Sequence, residues 1–341
     1  MHKKTMHKHS GIRGGGATFV VTLTASTFLM ASSLVVGKTL LHAGFSPFIL
    51  VGWRFFVAAL ATLPLVLLEG GIEALLPRGI GPREAAVTAV IGLLQTAGVM
   101  GLSFLAMNTI SASTAAILLF TNPIWVAMLG RIFLGEPLPP GRTAGLVLGV
   151  IGVFFAIGVV PELLAGGSAV RGELIGLGSS LCWAIATLIN KRARLPLGPW
   201  ALNFWQMLIG SFALLGVAYG VGEHWPDGTT SIQWARFFWL AIPASTGSFG
   251  LWFMALRKGG ATRASSFLFL TPLFTIILSF FALGAPLSLQ QALGGGLIGL
   301  SLWLVNRTVR NKATIMHQEP HGQNTVTGVA PESENTLTPL R

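Results

Sequence analysis

Charge is what this chain has least of. Only 10% of its 341 residues are Asp, Glu, Lys or Arg, where a water-soluble domain carries about 25%. Too few charged groups remain to cover a water-facing surface, so a soluble enzyme is excluded, as is disorder over most of the length. Cysteine is nearly missing as well: Cys182 stands alone, which excludes a disulfide scaffold. No Gly-x-Ser-x-Gly, His-Glu-x-x-His or Walker A sequence occurs, and no apolar run contains a His or acid pair to act as acid and base. Without ATP-binding machinery, a self-contained primary pump is excluded too.

What the chain has is apolar length. Hydrophobic residues make up 52% and the mean hydropathy is +0.71. They fall in blocks of about 20, the length that crosses ~30 Å of hydrocarbon at ~1.5 Å per residue. The pattern predicts an all-α integral membrane protein with ten transmembrane helices. They are placed at 18–37, 46–68, 85–107, 111–133, 141–160, 172–191, 199–221, 234–256, 261–282 and 290–306. A basic leader fills 1–17 and a polar tail, read as disordered, fills 307–341. The first apolar run exceeds a signal-peptide core and leads into nine more, so it reads as an uncleaved helix.

Basic residues outside a bilayer favour the cytoplasmic side. With the N-terminus inside, 18 of the 22 Lys and Arg fall on that side, from Lys3 and Lys4 through Arg131 and Arg142 to Arg310 and Arg341. Only Lys38, Arg171 and Arg236 lie outside, and Arg54 lies within a span. Both termini are therefore expected in the cytoplasm. The same asymmetry accounts for the net charge of +11 as membrane orientation, with no nucleic acid as partner.

The chain also matches itself. Shifted by 149 residues, positions 98–148 show 17 identities, among them Gly98, Gly101, Phe120, Pro123, Gly135 and Pro137 over Gly247, Gly250, Phe269, Pro272, Gly284 and Pro286. A shift of 152 pairs Pro47, Trp53 and Ala61 with Pro199, Trp205 and Ala213. Apolar low complexity matches Leu and Ala by chance, but seldom Pro and Gly at a constant offset. The halves are taken as 18–160 and 161–306. Each has five spans, an odd number, so the second copy enters from the opposite side, giving two inverted five-helix repeats. Inverted halves can exchange conformations and open a midplane site to either side in turn.

Each half ends in a helix with a central Pro, then Leu134-Gly135-Glu136-Pro137-Leu138 or Leu283-Gly284-Ala285-Pro286-Leu287, then a Gly-rich span. This resembles the EamA-type repeats of the drug/metabolite transporter superfamily, and Arg54 matches that family's habit of an Arg in the second span. The resemblance implies a ten-helix basket in which spans 1–4 and 6–9 surround a cavity, with the fifth and tenth peripheral. Ala285 departs from it, standing where the second copy's acidic residue is expected.

Arg54 is the sole charge well inside a span, about 12 Å of helix from Ser46. It reads either as a partner for a substrate anion or as a structural Arg satisfied by backbone carbonyls. Polar residues at helical spacing form three stripes: Asn203, Gln206 and Gly210; Thr271, Thr275 and Ser279; Gln95, Val99 and Ser103. Each could line a wet cavity or bond between helices. Gln206 aligns with Arg54 across the repeat. Asn122-Pro123 and Thr271-Pro272 are repeat equivalents whose prolines free a carbonyl and act as kink or hinge. Asn122 joins the candidate binding set on that ground. Trp183 and Trp252 are candidates for an aromatic cavity wall or a lipid-facing surface, while Trp200, Trp225, Trp234 and Trp303 read as interfacial anchors. Glu136 reads as a loop anchor near Arg131 and Arg142. Gly145-xxx-Gly149 and Gly295-xxx-Gly299 permit close contact within the molecule or in a homodimer, which is not required.

All eleven acidic residues lie in predicted loops, span ends or the tail, which disfavours carboxylate-based proton antiport. The expected function is a secondary transporter of the inner or plasma membrane, exporting small organic metabolites such as amino acids or related compounds by alternating access. No cofactor, metal or catalytic residue is expected, and the partners are the cargo and the lipid. A multidrug exporter is the alternative, and a non-transporting membrane enzyme or assembly factor is the rival from another class.

Overall fold

The computed structural model describes residues 12–76, 80–135, 140–157, 167–259, 266–285, 288–290, 292–301 and 303–304. Every regular element among them is helical. In chain order they are α1 (Ile12–His42), α2 (Pro47–Leu75), α3 (Pro82–Ala106), α4 (Ala112–Leu134), α5 (Pro140–Ile157), α6 (Ser168–Ala193), α7 (Pro199–Gly220), α8 (231–259), α9 (266–283) and α10 (Ala292–Ser301). By length and composition, α1, α2, α3, α4, α6 and α7 can each cross a membrane. Shorter apolar helices cover Thr143–Gly152, Leu270–Leu283 and Ala292–Ser301. The protein is a multi-pass membrane protein.

Local chemistry sets the helix ends. Proline opens α2, α3 and α7, where a missing N–H costs nothing because the first turn has no carbonyl to receive it. Ser111 caps α4 by accepting from the Thr114 N–H, and Thr230 with Gln233 forms a capping box on α8. The apolar stretch of α2 stops where Gly70 and Gly71 break the helix, Gly71 taking φ 64°.

Two backbone features recur at one offset, and each half has a further helix irregularity. A π-helical turn runs over Leu93–Gly101 in α3 and over Ile242–Gly247 in α8, starting 149 residues apart (242 − 93). The helix of α4 is interrupted at Phe120 and Thr121, and α9 begins as a 3₁₀ turn at Ser266–Phe269. Gly135 ends α4 at φ 64° and Gly284 ends α9 at φ 61°, again 149 apart (284 − 135). Left-handed glycine followed two residues later by proline is a helix stop that other residues strain to make. The most extensive helix pairing joins α2 to α7, whose first residues, Pro47 and Pro199, are 152 apart.

Packing relies on small residues, since helices in lipid associate by close approach and short hydrogen bonds. A Cβ on Gly210 would lie 2.7 Å from the Gly92 carbonyl, so α7 and α3 touch backbone to backbone. Ser103 and Ser179 hydroxyls meet at 2.7 Å between α3 and α6, and Thr121 and Ser180 at 2.9 Å between α4 and α6. Ser301 of α10 donates to the Gly145 carbonyl of α5, and a Cβ on Gly149 would strike Ile124 and Ser301. Gly145-xxx-Gly149 is thus occupied within the molecule, whereas nothing lies within 4 Å of a Cβ on Gly299.

Candidate functional site

A cavity lies among the helices. Both halves of the chain line it. Met30, Ser33, Leu34, Arg54, Phe55, Gln95, Met100, Leu119 and Phe120 come from α1–α4, and Trp183, Ala244, Ser248, Phe249, Trp252, Leu268 and Thr271 from α6, α8 and α9. Among the described residues, none in the lining belongs to α5, α7 or α10. The wall is mostly apolar and aromatic, with Trp183 edge-on to Phe120 at 5.7 Å between ring centroids. Such a wall with a few polar groups suits a small organic ligand.

Among the described residues, Arg54 is the one charged group in the lining, and it is only 2% exposed. Its Nε donates to the Ser245 hydroxyl at 2.9 Å, and Ser245 in turn donates to the Leu240 carbonyl at 2.8 Å. The guanidinium carbon sits 4.7 Å from the Phe55 ring centre and 5.5 Å from that of Phe104. Those ring faces stabilise a cation partially. Its Nη1 is buried and has no hydrogen-bond partner. Ser245 and Thr246 lie in the π turn of α8, and Thr246 bonds Thr62 of α2 at 3.2 Å. The wide turn therefore holds α2 through two hydroxyls.

Five of the sequence candidates meet at this cavity: Arg54, Gln95, Trp183, Trp252 and Thr271. Thr271 is 1% exposed and its hydroxyl is unpartnered. Asn122, Asn203 and Gln206 are not in the lining. Gln206 donates to the Asn203 side chain at 2.7 Å and backs onto Gly92 of α3. The α7 stripe is consequently a helix contact and not a cavity wall, because Gly92 and Gly210 let the two backbones close over it. Asn122 is buried beside the break in α4, its amide nitrogen unpartnered.

The stripe Gln95, Val99 and Ser103 does not hold together either. A π turn closes hydrogen bonds over five residues, not four, so a spacing of four drifts around the helix. Gln95 reaches the cavity, Val99 packs against Leu119 and Phe120, and Ser103 bonds α6. Likewise Thr275 and Ser279 are buried away from the lining. Pro123 stands in the first turn of the second piece of α4, so the helix breaks there instead of bending continuously; Pro272 follows the 3₁₀ turn of α9. Glu136 lies outside the described residues. Trp225 and Trp234 stack at 5.1 Å and pack on Phe45 and Phe237, a cluster more than a pair of separate anchors.

Residue-type reasoning missed Ser245, the partner of Arg54. A signal exists, since Ser245 lies 149 residues after Thr96 and both face the equivalent helix of the other half: Arg54 on α2 meets Ser245, and Gly210 on α7 meets Thr96. Phe120 and Phe249 were also missed, aromatic residues with no polar mark to separate them from lipid-facing ones. Lys38 is 9% exposed; its Nζ donates to the Met107 carbonyl and, at 3.1 Å, to that of Ile110. His42 is exposed.

Residues 18–158 and 170–307 match the EamA-like transporter family. The chain is 27% identical over 271 residues to a Bacillus subtilis (strain 168) protein named as the uncharacterized transporter YyaM, covering 78% of this chain and 86% of that one. It is 27% identical over 313 residues to a WAT1-related chloroplastic protein of Arabidopsis thaliana, covering 88% of this chain and 73% of that one. Protein PecM of Dickeya dadantii (strain 3937) is 27% identical over 207 residues, 60% of this chain and 68% of that one. A protein of known crystal structure superposes with a TM-score of 0.59 at 18% identity, covering 87% of this chain and 99% of that one, a likeness of fold.

Proposed function

The chain belongs to the EamA-like transporter family, and we propose that it is a secondary transporter exporting small organic metabolites across the cell inner or plasma membrane by alternating access. Ten spans in two inverted five-helix halves, 18–160 and 161–306, carry the cargo between them, with both termini cytoplasmic. Catalysis has no part in it. The observation that carries the reading is the cavity itself, walled by both halves and containing one buried cation with an unspent donor.

The repeated backbone supports inversion. Two π turns and two left-handed glycines recur at a 149-residue offset. The contact of Gly101 with Phe48 has its counterpart in Gly250 with Trp200, shifted by 149 and 152 residues. Equivalent helices α2 and α7 pair with each other, as helices beside a pseudo-two-fold axis do. Under rocking about that axis, the contacts made by one half can be remade by the other, and the cavity changes the side to which it opens.

The test is uptake and counterflow in sealed vesicles containing the protein, with single cysteines on opposite faces blocked in turn. Flux above that of empty vesicles, sensitive to blocking on either face, is expected. Equal flux with and without protein for every cargo offered overturns it. Labelling that places α1 and α6 in the same direction overturns the inversion.

A further inference from the structure

We propose that the cargo is a small organic monoanion with an apolar body and no ammonium group, carried without a coupled cation, so that each turnover moves one negative charge. This rests on the transporter reading above. Three observations narrow the cargo in this way.

The first is the state of Arg54. Its Nε is spent on a neutral hydroxyl and its Nη1 on nothing. A buried charge is tolerated where it is paired, and among the described residues no Asp or Glu is in the lining to pair it. The cavity therefore has a standing demand for an anion. The second is Thr271, whose buried hydroxyl is also unpartnered and lines the same cavity. A carboxylate or sulfonate accepts several hydrogen bonds, which those two donors and the Gln95 amide can supply.

The third concerns the opposite charge. A zwitterionic amino acid brings an ammonium that needs a carboxylate or a set of free carbonyls, and it would sit in one cavity with the Arg54 cation. The remainder of the wall is Phe55, Phe120, Trp183, Phe249 and Trp252 with Leu, Met and Ala244, and with Ser33 and Ser248, the latter donating to the Ala244 and Ser245 carbonyls. Among the described residues that wall holds no carboxylate to pair an ammonium beside the Arg54 cation, whereas it suits an apolar body. This sharpens the expected cargo away from free amino acids and toward deaminated or N-blocked acids of similar size.

The charge balance also supplies a driving force. When the anion binds, the site is neutral; when it leaves, Arg54 stays and the negative charge has crossed. An inside-negative membrane potential acts on that charge and pushes it outward. Export then proceeds without a carboxylate among the described residues of the cavity lining.

The full-length protein, purified in detergent, is tested by thermal shift against matched sets: arylalkyl carboxylates and sulfonates, their neutral amides, and the corresponding amino acids. The monoanions are expected to raise Tm and the amides and amino acids to leave it unchanged. Arg54→Gln should abolish the shift, Arg54→Lys should keep part of it, and Thr271→Val should weaken it several-fold should Arg54→Gln fail to fold. The best monoanion is then followed in proteoliposomes with a tenfold potassium gradient and valinomycin. It should settle at about a tenfold opposite gradient, as a single uncompensated charge requires. An amino acid that shifts Tm more than its deaminated partner overturns the proposal, as does a panel in which no monoanion shifts it, or a distribution indifferent to the potential. Protein-dependent flux of a zwitterion would refute this inference and leave the transporter reading standing; no protein-dependent flux at all would refute that reading itself.

Discussion

Among the described residues two cations are buried, Lys38 and Arg54, sixteen positions apart, and their surroundings differ in kind. Lys38 in α1 spends its ammonium on the Met107 and Ile110 carbonyls just past the end of α3. Helix C-termini leave carbonyls unsatisfied and carry partial negative charge, so a lysine there is a cap. Arg54 in α2 has one donor on a neutral hydroxyl, two aromatic faces beside it, and a donor with no partner. Both residues are nearly inaccessible. Burial therefore does not separate a structural cation from a binding one; what separates them is whether the hydrogen-bond donors are already committed within the protein.

Replacing each cation puts that contrast at risk. Lys38→Met should cost about 2–3 kcal/mol of stability, the value of hydrogen bonds from a charged donor, while protein that still folds should keep its ligand affinity; chemical denaturation and ligand titration of the same preparation would show it. A weakened affinity at full stability would erase the difference between the two sites. Arg54→Gln should do the reverse, losing roughly 10- to 100-fold in apparent affinity, which ~1.5–3 kcal/mol represents, with insertion and yield retained. Unchanged kinetics for every cargo would place Arg54 with Lys38 among the structural residues.

Smaller effects sharpen the same line. Gln206→Ala removes a helix-surface bond to Asn203 and should cost about 0.6 kcal/mol with less than roughly threefold change in affinity; a larger loss of affinity would return α7 to the cavity. Smallest of all is the response to an imposed pH gradient, which should alter flux only slightly because no carboxylate is among the described residues of the lining. Strict proton stoichiometry measured in proteoliposomes would overturn that.

Much of the fold was legible from patterns that tolerate small errors. Apolar block length is a local rule, and six of the blocks are helices long and apolar enough to cross a membrane; proline at the start of α2, α3 and α7 and glycine at the end of α4 and α9 act through equally local chemistry. The candidate site was legible only in part. Arg54, Gln95, Trp183, Trp252 and Thr271 converge, yet Asn203 and Gln206 do not. Polar stripes at a spacing of four assume an unbroken α-helix, and the π turn in α3 breaks that assumption for Gln95 and Ser103. Glycine hides the other error: Gly92 and Gly210 draw α3 and α7 together and seal Gln206 into a contact.

Composition and periodicity alone determined that this is a membrane-spanning helical chain built on an internal repeat, because insertion into lipid depends on the summed hydropathy of local segments and on the charges that flank them. Which buried polar groups are spent and which are left for a ligand was decided only in three dimensions. Hydrogen bonds such as that of Arg54 to Ser245 join residues 191 positions apart, and a donor's availability is a property of everything packed around it.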